Sequence, residues 1–149
     1  MTIYYDTGVL LKLYTNEPES DAVRAFVTGA GEAIPYLSLH RSECASALHL
    51  KAFRNACSVQ QANRALGDID EDLRKGVLQR ILPDWELIWE KTYELSQASS
   101  AITGCRTLDT LHVAVALTSG FRQFATSDKR QRELADRVGL CVLDPTHGK

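Results

Sequence analysis

Apolar positions along the chain fall into short unbroken runs and longer helix-spaced patterns, in alternation. Residues 2–5 are aromatic and β-branched and read as a strand. Residues 8–14 read as a helix, broken by Pro18. Ala22, Val23, Phe26 and Val27 mark an amphipathic helix over 19–28, ended by Gly29 and Gly31. Residues 32–37 read as a second strand, and Ser38 is a candidate N-cap for a helix through about residue 53. Residues 55–58 break that pattern. A charged, weakly amphipathic helical region follows over 59–82, closed by Pro83-Asp84. Residues 85–88 read as a third strand and 90–102 as a helix stopped at Gly104. Residues 108–117 are apolar almost all round, the mark of a helix packed on more than one side. A fourth strand over 121–126, a helix over 129–138 and a last short strand over 141–143 complete the chain. Strands alternating with helices predict a parallel sheet in an α/β fold.

Length and composition narrow this picture. The 149 residues fit one domain, 1–149, able to bury a real core. A formal net charge of −2 argues against broad, charge-driven nucleic-acid binding but leaves room for a basic rim around an acidic site. Cys44, Cys57, Cys105 and Cys141 are widely spread with no C-x-x-C pair, so zinc spacing is absent. No run approaches the ~18 apolar residues of a membrane helix, and no basic-then-apolar leader opens the chain. The expectation is a cytoplasmic protein with free thiols, Cys44 and Cys141 buried as small hydrophobes.

Four acids carry the candidate chemistry. Asp6, Asp109 and Asp128 stand at strand ends or helix starts, in Tyr4-Tyr5-Asp6-Thr7, Thr107-Leu108-Asp109-Thr110 and Ala125-Thr126-Ser127-Asp128. Each alone reads equally as a helix cap. Open α/β sheets, however, bind ligands at the carboxyl ends of their strands. Glu43 shares a helical face with Leu39, Ala47 and Leu50, where a carboxylate must be paired, protonated or metal-bound. No basic partner lies on that line. Brought together, such acids would suit hard divalent cations acting on phosphate, and Asp109 or Glu43 is then expected to hold its proton more tightly than usual. Thr7 and Thr126 lie beside two of the acids, and His112, one turn after Asp109, reads as a core histidine. Lys12, Arg41, Arg106, Lys129 and Arg130 flank the acidic segments.

Four segments in order resemble the PIN-domain ribonucleases, and specifically the toxins of VapBC-type toxin–antitoxin pairs. They are Tyr4-Tyr5-Asp6-Thr7-Gly8-Val9-Leu10-Leu11-Lys12-Leu13-Tyr14, Arg41-Ser42-Glu43-Cys44-Ala45-Ser46-Ala47-Leu48, Arg106-Thr107-Leu108-Asp109-Thr110-Leu111-His112-Val113-Ala114 and Phe124-Ala125-Thr126-Ser127-Asp128-Lys129-Arg130. The resemblance implies a three-layer α/β/α fold with a central parallel sheet. It implies Mg2+- or Mn2+-dependent cleavage of RNA, with Asp6, Glu43, Asp109 and Asp128 as catalytic and metal-holding residues and Thr126 as a polar helper. A cognate antitoxin and a homodimer are the partners it implies. Gly8 departs from the small hydroxyl residue the family often carries there. Residues 51–82 match poorly, and their apolar positions, among them Phe53, Ala62, Leu66, Ile69 and Leu73, predict an interaction surface.

Other readings compete. An aspartyl-phosphate enzyme also places an Asp after a first strand, but a haloacid-dehalogenase-type phosphatase wants a second Asp where Gly8 stands. Nucleotide-binding glycine motifs are absent. A PIN-like module that binds RNA or a partner without cutting is the remaining alternative.

Overall fold

The structure is a computed structural model that describes residues 1–147. Five short parallel strands form its centre: β1 (Ile3–Tyr5), β2 (Ile34–Tyr36), β3 (Leu78–Arg80), β4 (Gln123–Ala125) and β5 (Cys141–Leu143). They form two hydrogen-bonded groups, β1-β4-β5 and β2-β3. Strand β2 lies beside β1, so the spatial order runs 3-2-1-4-5. His40 spans the seam, its buried imidazole Nε2 lying 2.7 Å from the carbonyl of Tyr5.

Helices α1 (Thr7–Leu11), α2 (Ser20–Ala30), α3 (Ser38–Phe53) and α4 (Val59–Lys75) cover one face of the sheet. Helices α5 (Trp85–Thr103), α6 (Thr107–Thr118) and α7 (Lys129–Arg137) cover the other. The period-two alternation of a strand sorts the side chains. Ile3 and Tyr5 enter the core with Val9, Leu10, Val23, Cys44 and Ile69, while Tyr4 enters the opposite core with Ile88, Leu111, Phe124 and Leu134. This is the three-layer α/β/α arrangement. Helix α6 is buried continuously from Thr110 to Ala116, as its all-round apolar pattern predicts.

Three expectations are corrected. Residues 85–88 are not a strand. Asp84 accepts the amide of Leu87 at 3.1 Å and caps α5 there, and the exposed Leu87 is on a helix surface. The third strand lies earlier. Gly76 takes a left-handed conformation (φ 79°), which ends α4 at Lys75 and frees Leu78–Arg80 to pair with Ile34–Tyr36. Only Leu78 of that strand is buried, so it shows no apolar run.

Residues 51–82 are in large part core: Ala62 and Ile69 are fully buried, with Leu66 and Leu73 packed against them. Phe53 alone of the residues named above stands out at 82% exposure. All four cysteines are free, and Cys44 is buried, but Cys141 is exposed because the first residue of β5 lies at the sheet edge.

Candidate active site

The strand order reverses between β1 and β4, and in open α/β sheets the crevice at such a reversal is where ligands bind. Asp6 leaves β1 and Thr126 to Asp128 leave β4, at the same carboxyl edge. The amide of Asp6 donates to the Ala125 carbonyl at 3.0 Å, which locks the two exits together.

The capping roles anticipated for the aspartates are real. Asp6 Oδ2 accepts the Gly8 amide at 3.0 Å, Asp128 Oδ1 accepts the Gln131 amide at 2.8 Å, and Asp109 Oδ2 accepts the Arg106 amide at 3.3 Å. A carboxylate has two oxygens, however. Among the described residues, Asp109 Oδ1, Asp128 Oδ2 and Glu43 Oε2 receive no protein hydrogen bond. Those three acids line one open cleft of about 680 Å³ with Arg106, Thr107, Leu108 and Arg130. Asp6 does not line that cleft; it is joined to the other acids through His112, whose Nε2 lies 3.8 Å from Asp6 Oδ1 and contacts Glu43.

Glu43 has the partner its own helix does not supply. His112 Nε2 lies 2.5 Å from Glu43 Oε1, and the Thr7 hydroxyl donates to the same oxygen at 2.8 Å. Burial by itself would raise the Glu43 pKa. The hydrogen bond and charge of His112, joined by Thr7, outweigh it and hold the carboxyl below its usual range. Of the two acids of which at least one is expected to hold its proton more tightly, Glu43 is not the one, because an imidazole from another helix reaches it. Asp109 does follow expectation. Burial raises it first, the Arg106 amide opposes, and the charges of Asp128 and Asp6 add to the rise.

Behind His112, the Tyr4 hydroxyl lies 2.7 Å from Nδ1. Burial, then the charges of Asp6 and Glu43, push the Tyr4 pKa up, so the phenol keeps its proton beside Nδ1. His40 stays neutral, its pKa pushed down to about 3 by burial and by neighbouring His112.

Thr126 is fully buried; its hydroxyl donates to Gln131 Oε1 at 2.7 Å and accepts the Asp128 amide at 3.1 Å. Of the flanking cations, Arg106 and Arg130 reach the cleft. Lys12 pairs with Glu17 and Glu19 instead, and Arg41 lines a separate small cavity with Arg80 and Trp85. Two residues of the site escape the sequence pattern. His112 looked like plain core, and Gln131 gave one faint signal, a polar side chain at the inward spacing of Leu134 and Ala135.

The donor set consists of hard carboxylate oxygens, which fits magnesium or manganese. Among the described residues, no three His, Cys, Asp or Glu side chains are grouped closely enough to grip one ion. Magnesium does not require such a cage, since it keeps several waters and takes one or two carboxylates with phosphate oxygens.

The sequence profile of the PIN domain matches residues 3–137. The chain is 31% identical over 147 residues to ribonuclease VapC46 of Mycobacterium tuberculosis, covering 97% of this chain and 98% of that protein. Its fold is similar to that in the crystal structure of FitAcB from Neisseria gonorrhoeae, with a TM-score of 0.65 at 16% identity over 97% of this chain and 99% of that one. With a profile match reaching from β1 through α7 and a relative aligned along nearly its whole length, this chain belongs to the PIN-domain family.

Proposed function

We propose that this protein is a Mg2+- or Mn2+-dependent endoribonuclease, the toxin of a type II toxin–antitoxin pair. The observation that carries the reading is the cleft at the sheet reversal. Glu43, Asp109 and Asp128 line it together with Arg106 and Arg130, and among the described residues each of the three acids has one carboxylate oxygen that receives no protein hydrogen bond. The likeness to ribonuclease VapC46 supplies the substrate class, RNA.

In this reading Asp6, Glu43, Asp109 and Asp128 hold the ion, with Thr126 as the polar helper behind them. When bound, the ion supplies charge neutralisation and Lewis acidity at the scissile phosphate. The protein's own share is positional. Arg106 and Arg130 draw the phosphate backbone toward an otherwise acidic cleft. His112 and Thr7 hold Glu43 ionised, and the Asp6 and Asp128 caps keep two carboxylates at fixed helix starts. A cognate antitoxin and a second copy of this chain are the partners, and residues 1–149 act as one domain in the cytoplasm.

The test is RNA cleavage by purified wild type and Asp6→Asn in the same magnesium or manganese. Loss in the variant with an unchanged fold is the expected result. Cleavage at the wild-type rate would sink the proposal. The other reading, a module that binds RNA without cutting, draws on the absence of a three-ligand cage among the described residues. RNA binding with no chelator-sensitive cleavage in the wild type would favour it.

A further inference from the structure

We propose that Gln131 is a positioning residue of the acid site, setting the Asp6 carboxylate and the start of α6 relative to the exit of β4. The inference rests on the proposed metal-dependent function.

Gln131 is fully buried on a short, charged helix, at the spacing that otherwise turns Leu134 and Ala135 inward. Burying an amide without partners is costly, so its contacts identify its role. Its Nε2 donates to Asp6 Oδ1 and to the backbone carbonyl of Asp109, each at 3.2 Å. Its Oε1 accepts the Thr126 hydroxyl at 2.7 Å, and its backbone amide donates to Asp128 Oδ1 at 2.8 Å. One residue therefore touches three of the four acids, plus the threonine beside them.

Its conformation departs from the usual one for its place. A Gln three residues after an N-cap commonly reaches back to the cap's own amide. Gln61 does this in the same chain, its Oε1 accepting the Ser58 amide at 2.8 Å. Gln131 holds the equivalent place after Asp128 but turns away from it. The Thr126 hydroxyl takes over the Asp128 amide at 3.1 Å, which frees the Gln131 amide group to point at the acids. The carboxamide suits this place because it donates two hydrogens from one nitrogen and carries no charge. A glutamate there would set a fifth acid against Asp6, and a methionine would fill the space with no donor.

Residues that orient ligands from behind typically change metal affinity or activity by about 10–100-fold when replaced. The experiment compares wild type, Gln131→Met, Gln131→Glu, Asp6→Asn and Asp84→Ala. Mn2+ binding is measured by calorimetry, and RNA cleavage across a Mn2+ series. Asp84→Ala is the control for stability alone, since Asp84 caps α5 away from the cleft. The expected result has three parts. Gln131→Met binds Mn2+ about 10–100-fold more weakly. Its kcat falls with KM for RNA unchanged and recovers at high Mn2+, whereas Asp6→Asn does not recover. Asp84→Ala lowers Tm and leaves Mn2+ affinity as in wild type.

If Gln131→Met does not fold, Gln131→Glu carries the test, since it keeps the size and the acceptor for Thr126. Wild-type Mn2+ affinity and cleavage in a folded Gln131 variant, with Asp6→Asn inactive, would overturn the positioning role and leave the ribonuclease reading standing. Asp6→Asn binding and cutting like wild type would overturn both.

Discussion

Nε2 of His112 on α6 lies 2.5 Å from Oε1 of Glu43 on α3, joining two helices on opposite faces of the sheet. The contact explains how a carboxylate can sit half-buried in an apolar helical pattern and stay ionised.

Replacing His112 by leucine removes that bond, and the protein is expected to lose about 2 kcal/mol at pH 7, the scale of a hydrogen bond to a charged group. The pH dependence has a definite sign. Glu43 is held below its usual pKa, so its contribution is present above the unfolded value near ~4.3 and is lost as pH falls through the lower folded value. Urea unfolding of both proteins at pH 7 and in strong acid should show the gap narrowing on acidification. A gap of equal size at both pH values would place the effect in packing instead.

Asp109 titrates the other way. Its folded pKa is raised, first by burial and then by Asp128 and Asp6, so the native state resists its ionisation. The resulting penalty appears as pH rises through the unfolded value near ~3.9 and is complete above the folded one. Asp109→Asn is therefore expected to melt higher than wild type at pH 7, with the gain vanishing in acid. The asparagine oxygen can still accept the Arg106 amide, so the cap survives the exchange. A lower melting temperature at pH 7 would refute the crowding of charge.

Ile69→Ala should destabilise the protein by about 3 kcal/mol, within the ~2–5 kcal/mol of buried isoleucine truncation. Ile69 is 1% exposed and packs into the core beside α3. Denaturant titration of the purified chain measures this directly. A loss below ~1 kcal/mol would mean that α4 docks only in an assembly, as the sequence pattern of residues 51–82 suggests.

Thiol reactivity should follow burial. In the native protein Cys141 should alkylate first, being exposed, with Cys57 behind it. Cys44 should react last, since burial, with the charges of Glu43 and Asp6, pushes its pKa up to about 12. Denatured and unreduced protein should show all four thiols by mass. Rapid labelling of Cys44 before Cys141 would contradict the packing of α3.

Arg106→Gln and Arg130→Gln should each weaken RNA binding uniformly across sequences and reduce the salt slope of the binding constant by about 1. Fluorescence anisotropy over a salt series reads this. An unchanged slope in both variants would place the RNA backbone outside the cleft that they line.

Sequence alone determined the class of the fold and the residues worth examining. Four of the five strands fall at their predicted places, since each lies in a short, largely apolar segment bounded by helix patterns. The three aspartates were legible because helix starts prefer acids, a local rule that needs no partner from elsewhere in the chain. Tertiary structure decided the rest. Strand β3 carries one buried residue, so its identity comes from pairing with β2 rather than from its own pattern. Cys141 lies in an apolar run yet faces outward, because sheet order rather than local sequence makes β5 an edge. The His112–Glu43 bond and the contacts of Gln131 with Asp6 and Asp109 join positions far apart in the chain. Periodicity shows which side of a helix turns inward. Only the packing of one helix against another decides which polar group waits there.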